Sequence, residues 1–295
     1  MNLSKHLTNE YLSRIKNLEL KTRLVLQGAM TGWHSSPFHG YSTEFSQYRN
    51  YTPGDNLKYF DWKIYGKSEK AVVRQFQDET NANVYLVLDS SQSMDYAGGG
   101  EVNKLDYAIV IAASLALQAY KQRDAISLTC GSDFPQGPSQ PRNSATNLKQ
   151  VFSLLEKIPA RGKTDLKRML RQLAPRLKSG SMTYILTDLW QQTDDIITGL
   201  KSIRYKAQAT TLIEILTPNE INFFNDRNVE LIDMENQNRI KASLPHLKDR
   251  YLETLNDHRT SIRMECSRLK VKFVSLQTSF PYYQSMRKVL RSSGV

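Results

Sequence analysis

The chain has 295 residues, with 40 Lys and Arg against 29 Asp and Glu, a formal charge of +11 with neutral histidines. Its 40% hydrophobic and 23% charged residues are an ordinary globular balance, which excludes collagen-like, low-complexity and strongly disordered classes. Cys130 and Cys266 are too few for a disulfide scaffold or a Cys-rich zinc module, and the five scattered histidines form no pair at helical spacing. The first ten residues are polar and lack a signal-peptide core. The longest apolar-rich run, 108–119, is broken by Ser114 and Gln118 and falls short of the roughly 20 residues that span a bilayer. These features predict a soluble, cytoplasmic protein without a membrane span.

In chain order, residues 8–27 carry Leu12, Ile15, Leu18 and Val25 among charges, which predicts an amphipathic helix. Residues 28–80 are rich in Gly, Tyr, Ser and His, with a turn signal at Pro53-Gly54-Asp55 and a weakly alternating strand over 71–76. Residues 1–80 therefore read as an N-terminal helix plus a small extension with a hairpin-like element. From residue 84 the rhythm becomes α/β. Strands are predicted over 84–88, 125–129, 182–187 and 209–216. Helices are predicted over 105–119, 148–158, 166–177 and 195–203. The segment 219–250 reads as polar and irregular with one apolar stretch at 229–232. A long helix over 247–266, a strand over 271–274 and a helix over 283–290 follow. The alternation predicts an α/β fold with a mostly parallel sheet flanked by helices. The main domain is expected over 81–218, completed by 219–295.

In such sheets ligands bind beyond the carboxyl ends of the strands. Two predicted strands end on acids, Asp89 and Asp188. Ser91 and Ser93 follow the first, and Thr164 sits at a probable helix start between the two. Capping is the plain alternative, because Asp, Ser and Thr after a strand commonly cap the next helix. Taken together, Asp89, Ser91, Ser93, Thr164 and Asp188 resemble the ligand order of a metal-ion-dependent adhesion site. Mg²⁺ takes six oxygens and keeps several waters. Neutral hydroxyls beside only two carboxylates leave it able to accept one more anionic oxygen, such as a partner's Glu or Asp. Mn²⁺ suits the same donors.

The Asp-x-Ser-x-Ser order within this alternation resembles the von Willebrand factor A fold, a Rossmann-like sheet. The preceding segment sharpens the resemblance. Gly40, Glu44-Phe45, Arg49, Tyr51, Pro53-Gly54-Asp55 and Asp61-Trp62 are similar to the signature of the bacterial family called domain of unknown function 58. The chain departs from that family at Ser127-Leu128, at Thr217-Pro218-Asn219-Glu220 and over 233–237, all outside the five candidate ligands. The resemblance implies a non-enzymatic interaction protein that works beside a MoxR-type AAA+ ATPase as an adaptor in protein maturation or remodelling. In the signature segment, Arg49 is expected to pair with Glu44 or Asp61, and Trp62 to cover the sheet edge.

Other signals are weaker. Gly162-Lys163-Thr164 has the tail of a phosphate-binding loop, but Lys157 stands where the first glycine is needed. A metal-dependent phosphohydrolase of haloacid-dehalogenase type is the alternative function. It needs an acid two residues after Asp89, where this chain has Ser91. Residues 157–178 hold eight Lys and Arg against Asp165 alone. That stretch is either a solvated face or a contact for an acidic partner or an anionic lipid surface. No nucleic-acid-binding module is recognised.

Overall fold

A computed structural model of the chain describes residues 9, 12, 15–30, 45–53, 60–76, 82–131, 140–223, 228–232 and 239–293. The chain divides into two compact units, one of residues 1–34 with 82–295 and one of residues 35–81. The segment 1–80 expected as a single extension is thus shared between them. Its helix, α1 (Leu18–Met30), belongs to the larger unit.

The smaller unit pairs β1 (Phe45–Asn50) antiparallel with a later strand, around a short helix α2 (Trp62–Ser68). That partner is β2 (Val72–Phe76), and the pair is the hairpin-like element expected here. Asp61 caps α2, accepting from the backbone N–H of Lys63 (3.0 Å) and Ile64 (3.1 Å). Tyr48 Oη also donates to Asp61 (3.3 Å), and Arg49 donates to Thr52 Oγ1 (3.2 Å). Trp62 does not cover a sheet edge. It is 64% exposed, and its ring lies 4.6 Å from that of Phe60. Gly40, Glu44, Gly54 and Asp55 of the signature lie outside the described residues, as does 233–237.

The larger unit is built on five parallel strands. β3 (Asn83–Asp89) is followed by a 3₁₀ turn (Gln92–Asp95) and helix α3 (Lys104–Lys121). Then come β4 (Ala125–Gly131), α4 (Ala145–Lys157), α5 (Leu166–Leu173), β5 (Ser181–Thr187), α6 (Thr193–Arg204) and β6 (Ala207–Leu216). A short helix α7 (Pro218–Asn222) leads to the antiparallel pair β7 (Asn228–Ile232) and β8 (Arg239–Ser243). This is the segment expected to be irregular, and its apolar stretch at 229–232 falls on β7. Helix α8 (Leu244–Arg268), β9 (Lys272–Gln277) and α9 (Tyr282–Ser293) complete the unit. The sheet order is β4-β3-β5-β6-β9. The chain steps from β3 out to β4, then returns to the other side of β3 with β5. The order therefore reverses between β3 and β5, the place where open α/β sheets bind ligands.

Each face of the sheet is covered for a reason visible in the residues. β3 is buried from Val84 to Asp89, as a central parallel strand must be. Tyr85 and Val87 point toward α5, α6 and α8, where Leu166, Leu170, Ile196, Leu200 and Ile262 fill one core. The opposite face meets α3, which is apolar on nearly all sides and almost wholly buried. α1 and α9 pack outside α3. Arg287 donates to the last carbonyls of α1, at Gly28 and Ala29 (3.1 Å each), filling acceptors that a helix end leaves open. Tyr107 stacks on Tyr282, donates to Phe280 O (2.8 Å) and accepts from Ser285 Oγ (2.7 Å). The helix expected over 166–177 ends at Leu173 and tightens into a 3₁₀ turn at Ala174–Arg176, where Pro175 cannot continue the α-helical bonding.

Both cysteines are buried, and burial pushes each thiol up to about 12. At neutral pH the thiolate fraction is then on the order of 10⁻⁵. Ellman's reagent is expected to label neither Cys130 nor Cys266 in the folded protein and both in guanidinium. Rapid labelling of either in buffer would contradict their placement in the core.

Candidate metal centre

Asp89 closes β3, and Asp188 directly follows β5. These are the two strands that flank the switch point. Asp89 is fully buried. Its Oδ1 accepts from Ser91 N (2.9 Å) and its Oδ2 from Thr187 Oγ1 (2.8 Å). The bond to Thr187 ties the end of β3 to the last residue of β5. Burial, and then the charge of Asp188, raise the Asp89 carboxyl above its ordinary pKa, against the hydrogen bonds from Ser91 and Thr187. Ser91 is buried, and its Oγ lies 3.0 Å from Ser93 Oγ. Ser91 stands before the 3₁₀ turn, yet its side chain makes no capping bond there. The two serine hydroxyls bond to each other and leave lone pairs over.

Thr164 arrives from a different part of the chain. Arg161 N donates to Ser90 O (2.8 Å), and Gln92 N donates to Gly162 O (2.9 Å). These two backbone bonds lay the Thr164 loop along the loop after β3. Gly162 has a φ of +71°, which suits glycine and lets the chain turn toward Thr164. The capping alternative is resolved by the next residue. Asp165 caps α5 by accepting from Arg168 N (2.8 Å). The Thr164 hydroxyl has no such task. It is buried and has no hydrogen-bond partner among the described residues.

The structure thus brings Asp89, Ser91, Ser93 and Asp188 to one end of the sheet and stitches the Thr164 loop beside them. All five offer oxygen. Among the described residues no three His, Cys, Asp or Glu gather, so a thiolate, imidazole or carboxylate-rich centre is not built there. An oxygen set of two carboxylates and three hydroxyls, one of them buried and orphaned, fits a hard divalent cation such as Mg²⁺.

A sixth residue was missed in the sequence. Lys104, in the first turn of α3, is 1% exposed and bridges Asp188 Oδ2 (2.8 Å) and Glu220 Oε1 (2.7 Å). Burial opposes its charge, but the two carboxylates more than offset this and hold its pKa above the ordinary value. Glu220 is set by a capping box in α7. Its Oε2 accepts from Thr217 N (2.7 Å) and Thr217 Oγ1 (2.9 Å). Gly98 lets its loop lie against Thr217, where a Cβ would meet Oγ1 at 2.1 Å. Two signals pointed to this network: a lysine at a helix N-terminus, where the helix dipole disfavours it, and the Thr217-Pro218-Asn219-Glu220 capping pattern.

Removing one partner of a buried ion network leaves charge uncompensated, at a cost of about 3–5 kcal/mol. Lys104→Met is therefore expected to lower the unfolding free energy by that amount at neutral pH, read as a lower urea midpoint. Lys104→Met combined with Glu220→Gln is expected to lose less than Lys104→Met alone. Equal urea midpoints for the wild type and Lys104→Met would contradict the buried bridge.

A family described as "Protein of unknown function DUF58" matches residues 47–261. An uncharacterized protein of Mycobacterium tuberculosis, Rv1480, is 23% identical over 273 residues, covering 90% of this chain and 84% of its own length. The uncharacterized Mb1516 of Mycobacterium bovis matches to the same extent. Among solved structures, an aerotolerance-related membrane protein of Bacteroides fragilis aligns over 72% of this chain and 98% of its own, at 13% identity and a TM-score of 0.49. BatB of Bacteroides thetaiotaomicron aligns over 72% and 100%, at 12% identity and a TM-score of 0.48. With nearly three quarters of its length under the family profile and its relatives matched almost end to end, this chain is a member of the DUF58 family.

Proposed function

We propose that this protein is a docking module that captures an acidic residue of a partner protein through Mg²⁺ held at the β3–β5 switch point. The observation that carries this reading is the buried, unpartnered hydroxyl of Thr164 beside the Asp89 loop. An unsatisfied buried hydroxyl costs about 1–3 kcal/mol. Coordination of a cation by that oxygen removes the cost.

Asp89, Ser91, Ser93, Thr164 and Asp188 are the residues that would hold the ion. When bound, Mg²⁺ supplies a hard Lewis-acidic position open to one more oxygen. Asp89 and Asp188 balance its charge, and the three hydroxyls add none. A partner's Glu or Asp then meets no net repulsion. In the free site the same two carboxylates repel it, so capture depends on the cation. Lys104 holds Asp188 in place and offsets Glu220 behind it. Mn²⁺ takes the same donors.

The reading is of a protein without catalysis. Ser91 stands where a phosphohydrolase of haloacid-dehalogenase type needs its general acid. Both cysteine thiols are buried and held protonated. The signature-segment resemblance supports a place beside a MoxR-type AAA+ ATPase, with this chain as adaptor in maturation or remodelling of other proteins. Among the described residues no helix is long and apolar enough to cross a membrane.

Neighbouring substitutions separate a ligand from a cap. Thr164→Ala removes a buried hydroxyl that has no hydrogen-bond partner among the described residues, so without metal the variant is expected to melt no lower than the wild type. Its Mn²⁺ affinity, followed by spin-resonance titration, should fall at least about tenfold. Asp165→Ala should lose about 1 kcal/mol of stability and keep its Mn²⁺ affinity. Unchanged Mn²⁺ binding in Thr164→Ala would remove Thr164 from the ligand set. Absence of Mn²⁺ and Mg²⁺ binding by the wild type at millimolar metal would overturn the metal reading.

A further inference from the structure

The Thr164 loop borders two cavities of different character. One, of about 540 Å³, lies between the turn after β5 and helix α8, and its walls include Trp190, Tyr251, Leu255 and His258. The other, of about 580 Å³, runs along α5 and is lined by Lys163, Lys167, Arg168 and Arg171. Both include Lys163, Thr164, Gln191 and Asp195, so they meet at the candidate ligand. The result is a groove with an apolar half and a basic half, with the Thr164 loop at the junction.

The apolar half is built rather than incidental. Leu189 is buried with a φ of +62°, a conformation unfavourable for a residue with a side chain, and it holds the turn that presents Trp190. Trp190 remains 42% exposed. Its Nε1 donates to Glu220 Oε1 (3.0 Å), and its ring lies 6.3 Å from Tyr251. Tyr251 is fixed in turn by donating to Glu220 O (3.0 Å). Gln191 clamps the junction, donating through Nε2 to Thr164 O and accepting from Leu166 N (3.3 Å) through Oε1. His258 bridges Thr193 Oγ1 (3.2 Å) and Leu189 O (3.0 Å), which anchors α8 to the same turn. In the basic half, Asp195 pairs with Lys167 (2.8 Å), while Lys163, Arg168 and Arg171 are exposed. Asp165 caps the helix beneath them.

We infer that this groove binds an acidic segment of a partner protein that carries a large apolar side chain beside its metal-directed carboxylate. The apolar side chain packs into the cavity against Trp190, Tyr251 and Leu255, the carboxylate reaches the junction at Thr164, and further acidic residues lie over Lys163, Arg168 and Arg171. Charge complementarity selects the occupant. The cavity along α5 carries four basic side chains and two acidic ones, and one of the acids is already paired. An exposed indole next to a basic surface is the composition of an interface anchor. The position of the carboxylate rests on the metal reading above; the apolar and basic contacts do not.

The test uses the full chain and a set of short fluorescein-labelled peptides, rich in Asp and Glu, with or without one Trp, Phe or Leu next to a carboxylate. Binding is read by anisotropy in Mg²⁺ and in EDTA. Peptides with the apolar residue should bind at least about tenfold more tightly than their Ala counterparts. Trp190→Ala should erase that difference, while Trp190→Phe, which keeps a ring but loses the bond to Glu220, should retain most of it. Lys163→Glu with Arg171→Glu should weaken acidic peptides and steepen no salt dependence. Circular dichroism melting accompanies each variant.

Mg²⁺-dependent binding that ignores the apolar residue and Trp190 would overturn the groove and leave the metal bridge standing. Binding that needs Trp190 and the basic residues but survives EDTA and Thr164→Ala would support the groove and overturn the metal bridge. Absence of peptide binding, or retention on anionic phosphatidylserine vesicles that peptides fail to compete, would overturn the proposal.

Discussion

One buried ammonium group makes the carboxyl end of this sheet tenable. Asp89, Asp188 and Glu220 are all buried there, and desolvated carboxylates are costly unless a cation answers them. Lys104 answers Asp188 and Glu220 at hydrogen-bonding distance. Its position depends on α3 starting where it does, with Asn103 capping the helix by accepting from Asp106 N (2.7 Å). Glu220 depends on the capping box of α7, and that box depends on the loop at Gly98. The charge network therefore joins three separate connections of the chain above the switch point. Asp89 is left with hydrogen bonds but no cation among the described residues, and the raised pKa of its carboxyl expresses that imbalance.

Local roles near the site are divided between adjacent residues. Asp165 caps a helix and Thr164 does not. Thr187 bonds to Asp89, while the next residue, Asp188, bonds to Lys104. Ser91 Oγ bonds to Ser93 Oγ, whereas its backbone N–H serves Asp89. Such pairs matter because a cap and a ligand use the same residue types. Only the hydrogen-bond accounting separates them, and it leaves the Thr164 hydroxyl over. The groove beside it follows from the same turn, because the strained Leu189 that ends the β5 connection also turns Trp190 outward.

Much of the fold was legible in the residues. The apolar runs at 84–88, 182–187 and 209–216 are buried strands, and the acids that end two of them mark the switch point. The ligand-type residues were legible because Asp-x-Ser-x-Ser runs out of one strand, Asp188 directly follows another, and Thr164 stands at a helix start between them. Three features were not. The β7–β8 strands are only five residues each, too short a window for their alternation to stand out from a polar loop. Trp62 was read as a cover for an edge, but aromatic identity alone does not distinguish burial from its 64% exposure. Lys104 was passed over: its place at a helix start and the Thr217–Glu220 capping pattern are separate local signals, and that they meet depends on the sheet order, a non-local fact.

The carboxyl end of the sheet gathers two buried carboxylates and hydroxyl oxygens, and its flank sets an exposed indole beside basic side chains. The family membership and the switch-point placement of Asp89 and Asp188 are independent of the ligand assignment, which rests on Thr164. The most direct test is an anomalous difference map from crystals of the full chain grown with Mn²⁺. A peak is expected within about 2.0–2.2 Å of oxygens that include Thr164 Oγ1. Asp89 should line the same peak, and Lys104 should remain on Asp188. A map with no peak at the switch point, and with Thr164 Oγ1 hydrogen-bonded to protein or to ordered water, would contradict the account.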